Sequence, residues 1–208
     1  MRPFDDATRR NIAAACAAFT RLPENGEASV LKRAAVVVAL TRAREGGETA
    51  FLLTRRASHL RAHRGQWALP GGRCDAGETP VEAALRELDE ELNLKLGVGE
   101  VLGLLDDYPT RSGYLITPVV VWAADGAAIR PNPGEVASVH RIALATIERA
   151  EAFDFVAIPE STRRVIRFHQ QERLIHAPTA ALIYQFREVL AGRQTRVTDL
   201  EQPVFAWK

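Results

Sequence analysis

The stretch that most constrains this chain is residues 69–92, Leu-Pro-Gly-Gly-Arg-Cys-Asp-Ala-Gly-Glu followed by Thr-Pro-Val-Glu-Ala-Ala-Leu-Arg-Glu-Leu-Asp-Glu-Glu-Leu. Thr79 is a helix cap and Pro80 has the fixed φ favoured at the first helical position. At about 100° per residue, Val81, Ala84, Leu85, Leu88 and Leu92 fall on one stripe. Glu87, Glu90 and Glu91 gather within an arc of roughly 100° on the other side. Glu87 and Glu91 are one turn apart, where like charges repel by a few tenths of a kcal/mol. A divalent cation reverses the sign of that interaction, and carboxylate oxygens suit a hard ion such as Mg²⁺ or Mn²⁺. Glutamates opposite an apolar stripe commonly form no more than a solvated face. Here a glycine pair precedes them, and adjacent glycines after a strand let backbone approach a ligand closely. Glu78 is placed to reach Arg86 and tie the loop to the helix.

The flanking elements follow from local signals. Asp5 or Thr8 caps a helix to about residue 19, and Asn25-Gly26 marks a turn. Residues 34–40, Ala-Ala-Val-Val-Val-Ala-Leu, read as a strand buried on both faces, and 50–54 as its hairpin partner. A basic loop covers 55–65, and 66–69 is a short strand stopped by Pro70-Gly71-Gly72. Strands are expected at 98–105, 114–124 and 164–169. Helices are expected at 79–92, 143–151 and 180–190, the last ended by Gly192. Strands and helices mix without βαβ alternation, which predicts an α+β fold with a mixed sheet between helices.

Composition narrows the function classes. With 27 Lys+Arg against 26 Asp+Glu, the 208-residue chain carries a formal charge of +1. Proteins that track nucleic-acid phosphates usually have a clear basic excess, so no nucleic-acid partner is expected. No apolar run approaches the roughly 18 residues of a membrane span. The patch 12–18, Ile-Ala-Ala-Ala-Cys-Ala-Ala, has Asp5 and Asp6 where a leader wants positive charge, and it reads as an amphipathic helix of a cytoplasmic protein. Cys16 and Cys74 are too few to staple a domain. Cys74 has no evident base partner for a nucleophile role. His140, His169 and His176 have no Cys or His at zinc-ligand spacing. Trp67, Trp122 and Trp207 read as core or interface residues.

Two sets of residues carry a family resemblance. Gly72, five residues, Glu78, seven residues, Arg86-Glu87-Leu88, one residue and Glu90-Glu91 resembles the Nudix box. Where that box expects Gly, this chain has Asn93, the next-best residue for a left-handed backbone. Upstream, Leu52-Leu53-Thr54, Arg56-Ala57, Arg61, Gly65 and Leu69-Pro70-Gly71-Gly72 resemble the coenzyme A pyrophosphatase branch of the family, with Leu69 where Phe is usual. Ser112-Gly113-Tyr114, Thr117-Pro118-Val119-Val120, the segment 131–136 and Thr179-Ala180 extend the likeness over about residues 33–190. His176-Ala177 replaces the branch's usual aromatic-glycine pair.

The resemblance implies one Nudix-type α/β/α sandwich over 1–208, with an N-terminal helix near 5–20 and a C-terminal helix plus tail near 180–208. It implies metal-dependent hydrolysis of the pyrophosphate of coenzyme A or its derivatives. Glu87, Glu90 and Glu91 would hold Mg²⁺ or Mn²⁺, with the Gly71 carbonyl. Glu135, from a distant turn, is the candidate base. Coenzyme A also carries a 3′-phosphate, and arginine forks match phosphate. Arg56, Arg61 and Arg64, with His63, are therefore candidate substrate ligands beside Gly71 and Gly72; a solvated basic loop or a brace for the acidic helix are the other readings of these cations. Hydrolysis of ADP-ribose or another nucleoside diphosphate derivative is the rival activity, and a non-catalytic nucleotide-sensing domain the rival class. The only partner expected is the small-molecule substrate, with a homodimer left open.

Overall fold

The computed structural model describes residues 1–23, 30–59, 65–123 and 129–206. In chain order the elements are α1 (Asp6–Ala18), β1 (Lys32–Arg42), β2 (Thr49–Arg56), β3 (Trp67–Ala68), β4 (Gly71–Arg73), α2 (Pro80–Leu92), β5 (Val101–Leu104), β6 (Tyr108–Pro109) and β7 (Tyr114–Trp122). They continue with β8 (Val136–Ala143), α3 (Leu144–Glu148), β9 (Phe153–Ile158), β10 (Ser161–Gln170), β11 (Arg173–His176) and α4 (Thr179–Leu190).

The main sheet runs β3-β2-β1-β7-β5, with β8 beside β2, β4 beside β1 and β6 beside β7. β1 and β7 are parallel while the other pairings are antiparallel, so the sheet is mixed as expected. The unbroken apolar run of β1 is explained by its two faces. Ala35, Val37 and Ala39 pack with Ala84, Leu88 and Leu92 of α2. Val38 and Leu40 pack in a second core with Ile12 of α1 and Phe186 of α4. β7 alternates the same way, Val119 and Val121 toward α2, Val120 and Trp122 toward the other core. The period-two alternation of strand side chains thus builds a helix/sheet/helix sandwich from two strands buried on both sides.

The helix ends match their sequence signals. Asp5 caps α1 by accepting from the Thr8 amide at 2.7 Å. Thr79 and Glu82 form a reciprocal capping box at the start of α2. Asn93 ends α2 in the left-handed region at φ 53°, ψ 35°, and its Nδ2 donates to the Arg130 carbonyl at 2.7 Å.

Several strands lie outside the sequence expectation. β9, β10 and β11 form a separate antiparallel sheet whose Phe153, Ile166, Phe168 and Ile175 join the core around α4. Only part of β10 was expected, because β11 and the start of β10 alternate with exposed charged residues and show no continuous apolar run. β8 pairs along β2 over residues for which no element was expected, and the helix expected at 143–151 is confined to Leu144–Glu148. The expected strand at 98–105 begins with a 3₁₀ turn and is extended only over Val101–Leu104. The glycine pair read as a strand stop is itself paired, Gly71 opposite Val36.

Replacing Asn93 tests its left-handed role. Asn93→Val should lower stability by about 1–2 kcal/mol, since a β-branched side chain resists that backbone. Asn93→Gly should stay within about 1 kcal/mol of the parent, losing the bond to Arg130 but not the conformation. Urea unfolding midpoints read both.

Candidate functional site

α2 presents its acidic face to the glycine loop, and Arg86 holds the two together. Its Nε donates to Glu78 Oε1 at 2.9 Å and its Nη2 to Glu78 Oε2 at 3.1 Å. The same Nη2 reaches the Arg73 carbonyl at 2.9 Å, while Nη1 donates to Glu87 and to Glu90, each at 3.0 Å. The expected Glu78–Arg86 tie is therefore present as a fork-to-carboxylate pair. That hydrogen bonding to Arg86 holds the Glu78 carboxyl below its ordinary range.

Glu87, Glu91 and Glu135 converge, each offering one oxygen within 4.8 Å of the others. Glu91 is buried at 2% exposure. Its Oε2 accepts from the Gly71 amide at 3.3 Å, and Arg56 Nη1 lies 3.6 Å from Oε1. Burial pushes the Glu91 carboxyl up to about 7. Arg56 and the Gly71 amide pull against that, while Glu87 and Glu135 add to it. Burial raises Glu87 as well, with Arg86 opposing.

Glu135 reaches the cluster because its turn is pinned at both ends. The Asn132 amide donates to the Glu91 carbonyl at 2.8 Å, and the Ala57 amide donates to the Glu135 carbonyl, also at 2.8 Å. Within the turn, Asn132 Oδ1 accepts from the Gly134 amide at 3.0 Å. The end of α2 and the start of the basic loop thus set the position of a residue more than forty places from Glu91 in sequence.

Gly71 and Gly72 do different work. A Cβ on Gly71, at φ +144°, would lie 2.2 Å from the Ala35 carbonyl oxygen. A Cβ on Gly72 would lie 2.2 Å from Glu87 Oε1. One glycine lets β4 lie on β1, and the other makes room for a carboxylate.

Of the sequence candidates, Glu87, Glu91 and Glu135 are brought together. Glu90 is not in this group; it sits half-exposed on Arg86. Gly71 meets the cluster through its amide. Arg56 faces Glu91 and lines the adjacent cavity. Arg61, His63 and Arg64 lie outside the described residues. That cavity, about 610 Å³, opens beside Gly71 and Gly72 and is also lined by Trp67, Arg73, Tyr114 and His176. Trp67 packs against the core as expected and is also a cavity wall; its place between the basic loop and the glycine loop was the available signal for the second role. Trp122 is core, stacked on Phe4 at 4.2 Å. Three hard-oxygen donors, two of them (Glu87 and Glu91) with proton affinity raised by burial, fit a divalent cation such as Mg²⁺ or Mn²⁺, with Arg56 and Arg86 as the neighbouring counter-charges among the described residues.

A family model for the Nudix domain matches residues 31–161. The chain belongs to the Nudix family, the hydrolases of nucleoside diphosphate derivatives. It is 35% identical over 141 residues to a protein of Photorhabdus laumondii named uncharacterized Nudix hydrolase NudL, covering 66% of this chain and 75% of that one. The protein of that name from Pectobacterium atrosepticum is 34% identical over 147 residues, covering 69% and 76%. The structure of a MutT/nudix family protein from Enterococcus faecalis shares the fold, with a TM-score of 0.53 and 21% identity over 83% of this chain and 66% of that chain. Among the described residues no helix is long and apolar enough to cross a membrane.

The two glycines separate fold from site. Gly71→Ala should cost roughly 3 kcal/mol, because its new methyl meets backbone. Gly72→Ala should unfold within about 1 kcal/mol of the parent yet weaken Mn²⁺ binding by about 10–100-fold, because Glu87 is displaced. Urea titration and Mn²⁺ titration followed by electron paramagnetic resonance read the two effects.

Glu91 also sets a pH dependence. Its folded-state proton affinity is raised, so the protonated form stabilises the fold below about 4.5 and that contribution is lost as pH rises through about 7. The metal-free protein should melt lower at about pH 8 than at about pH 5, and Glu91→Gln should flatten the difference. Mg²⁺ should restore the melting temperature at the upper pH.

Proposed function

We propose that this protein hydrolyses the pyrophosphate bond of coenzyme A or a derivative of it. Water attacks one phosphorus, the bridging P–O bond breaks, and the products are adenosine 3′,5′-bisphosphate and 4′-phosphopantetheine. The observation that carries the reading is the convergence of Glu87, Glu91 and Glu135 at the glycine wall of a cavity that also contains Arg56.

Glu87 and Glu91 would hold a divalent ion, with Glu90 joining if it leaves Arg86. When bound, such an ion supplies charge neutralisation for the pyrophosphate and makes a neighbouring water more acidic. The remaining work belongs to the chain. Arg56 has a buried Nε with no hydrogen-bond partner among the described residues. A phosphate oxygen would satisfy that donor, whose desolvation otherwise costs about 1–3 kcal/mol. Glu135 is the carboxylate of the group not on α2, and its pinned turn suits it to accept the proton of the attacking water. Arg86 positions Glu87 and Glu78 and takes no part in proton transfer. The choice of coenzyme A over other nucleoside diphosphate derivatives rests on the motif from Leu52 to Gly72, whose Arg61 and Arg64 we assign to the 3′-phosphate, with His63 beside them.

Incubation with coenzyme A, ADP-ribose and NADH, each with Mg²⁺ or Mn²⁺, tests the reading by chromatography of products. 4′-Phosphopantetheine should appear, and Glu87→Gln or Glu91→Gln should lower its rate at least about 100-fold. Arg61→Ala should weaken coenzyme A more than its 3′-dephospho form. Turnover of ADP-ribose without phosphopantetheine release overturns the substrate assignment, and equal losses for the two coenzyme forms overturn the role of Arg61.

A further inference from the structure

The cavity beside the carboxylates has two unlike sides. Arg56, Gly71, Gly72 and Arg73 come from the sheet and the glycine loop. Leu174, Ile175, Ala177, Pro178, Leu182 and Phe205 come from β11, α4 and the C-terminal tail. The tail is a fixed wall. Glu201 is buried at 2% exposure and accepts from Arg111 Nε at 3.1 Å and Ser161 Oγ at 2.8 Å. Gln202 Oε1 accepts from the Arg111 amide at 2.7 Å, and the Leu200 carbonyl accepts from Tyr108 Oη at 2.7 Å. Three residues past this anchor, Phe205 meets the His176 ring edge-on, centroids 5.4 Å apart.

Phe205 is nonetheless 66% exposed, with Leu174 at 45% beside the same cavity. An aromatic side chain held at a cavity rim and left largely in water gains free energy when an apolar ligand group covers it. Resting on the coenzyme reading above, the division of the cavity orients the substrate. Adenosine 3′,5′-bisphosphate carries the phosphate charge and belongs with the arginines. The tail side offers no carboxylate or guanidinium among its described lining residues, and burial keeps His176 toward its neutral form. That side suits the uncharged arm. We propose that Phe205, held by His176 at the rim, is a specificity-determining residue against which the apolar group of an acylated substrate lies, so that the protein favours acyl thioesters of the coenzyme over the free thiol.

The test compares kcat/KM for octanoyl-coenzyme A and free coenzyme A in the parent, Phe205→Ala and Phe205→Leu. In parallel, S-octyl-pantetheine, which has the arm but no phosphate, is titrated calorimetrically in EDTA. Thermal melts should show all three proteins equally folded, since Phe205 is exposed. The parent should favour the octanoyl form, Phe205→Ala should lower that preference about tenfold, and Phe205→Leu should recover part of it. The titrated arm should bind the parent and bind Phe205→Ala more weakly. A parent that prefers the free thiol, or a preference untouched by Phe205→Ala, overturns the proposal. So does sedimentation showing a dimer that Phe205→Ala dissociates with selectivity unchanged, since the patch is then a contact between copies. If no coenzyme form is hydrolysed while ADP-ribose is, the proposed function fails by itself. The calorimetric arm then decides this inference alone: binding weakened by Phe205→Ala supports it, and no binding overturns it.

Discussion

Burial of the Glu91 carboxylate under the Gly71 backbone is the constraint on which the site depends. A buried carboxylate is costly unless it is paired and hydrogen-bonded. Here the pairing is partial: one amide at 3.3 Å, and one guanidinium at 3.6 Å that is too long for a hydrogen bond. The protein tolerates an under-satisfied acid in its interior, next to two more. Structural ion pairs elsewhere in the chain look different. Glu188, for example, receives both Arg193 Nε and Nη2 at 2.6 Å and Thr195 Oγ1 at 2.9 Å, and its carboxyl is held low by that bonding to Arg193. The contrast between a satisfied carboxylate with lowered proton affinity and an unsatisfied one with raised affinity separates scaffold from site.

Much of this arrangement was legible in the sequence because it is local. The cap at Thr79, the apolar stripe of α2, the link from Glu78 to Arg86 and the left-handed Asn93 are all decided within a few residues of one another. The alternation of β1 and β7 was legible as apolar runs, since both faces of each strand are covered. What could not be read was whatever depends on pairing at a distance. β8 has only two buried residues, Val136 and Ile142, so its strand character comes from β2 and not from its own pattern. The second sheet is the same case. Glu90 shows the limit at the site itself: helical spacing puts it on the acidic arc, while in the structure it pairs with Arg86 one turn earlier and lies outside the group formed by Glu87, Glu91 and Glu135.

The Asn132–Val136 turn shows how a distant carboxylate acquires a fixed place. Its sequence, Asn-Pro-Gly-Glu, announces a turn and nothing about its location. Two backbone hydrogen bonds, to Glu91 and from Ala57, carry that information. Both partners adjoin residues of the charged cluster, Glu91 itself and Arg56 before Ala57. The same backbone contacts that close the sheet edge at β8 therefore register three separate segments around one point. Side-chain chemistry at that point needs no long-range specification of its own.

A polyanionic substrate approaching three carboxylates faces repulsion that the near-neutral chain as a whole does nothing to relieve. Local order solves the problem. β2 delivers Arg56 directly against Glu91, and the strand runs out into the arginine-rich segment that returns through Trp67 to the glycine loop. Positive charge therefore arrives on the chain segment immediately before the acidic helix, and neither can be moved without the other. The C-terminal part adds what this unit lacks. Its second sheet, α4 and the tail held by Glu201 supply an apolar wall that has no role in neutralising charge. The carboxylate cluster and the apolar wall thus come from different parts of the chain, and residues of β1, β3 and β4 line the cavity beside both.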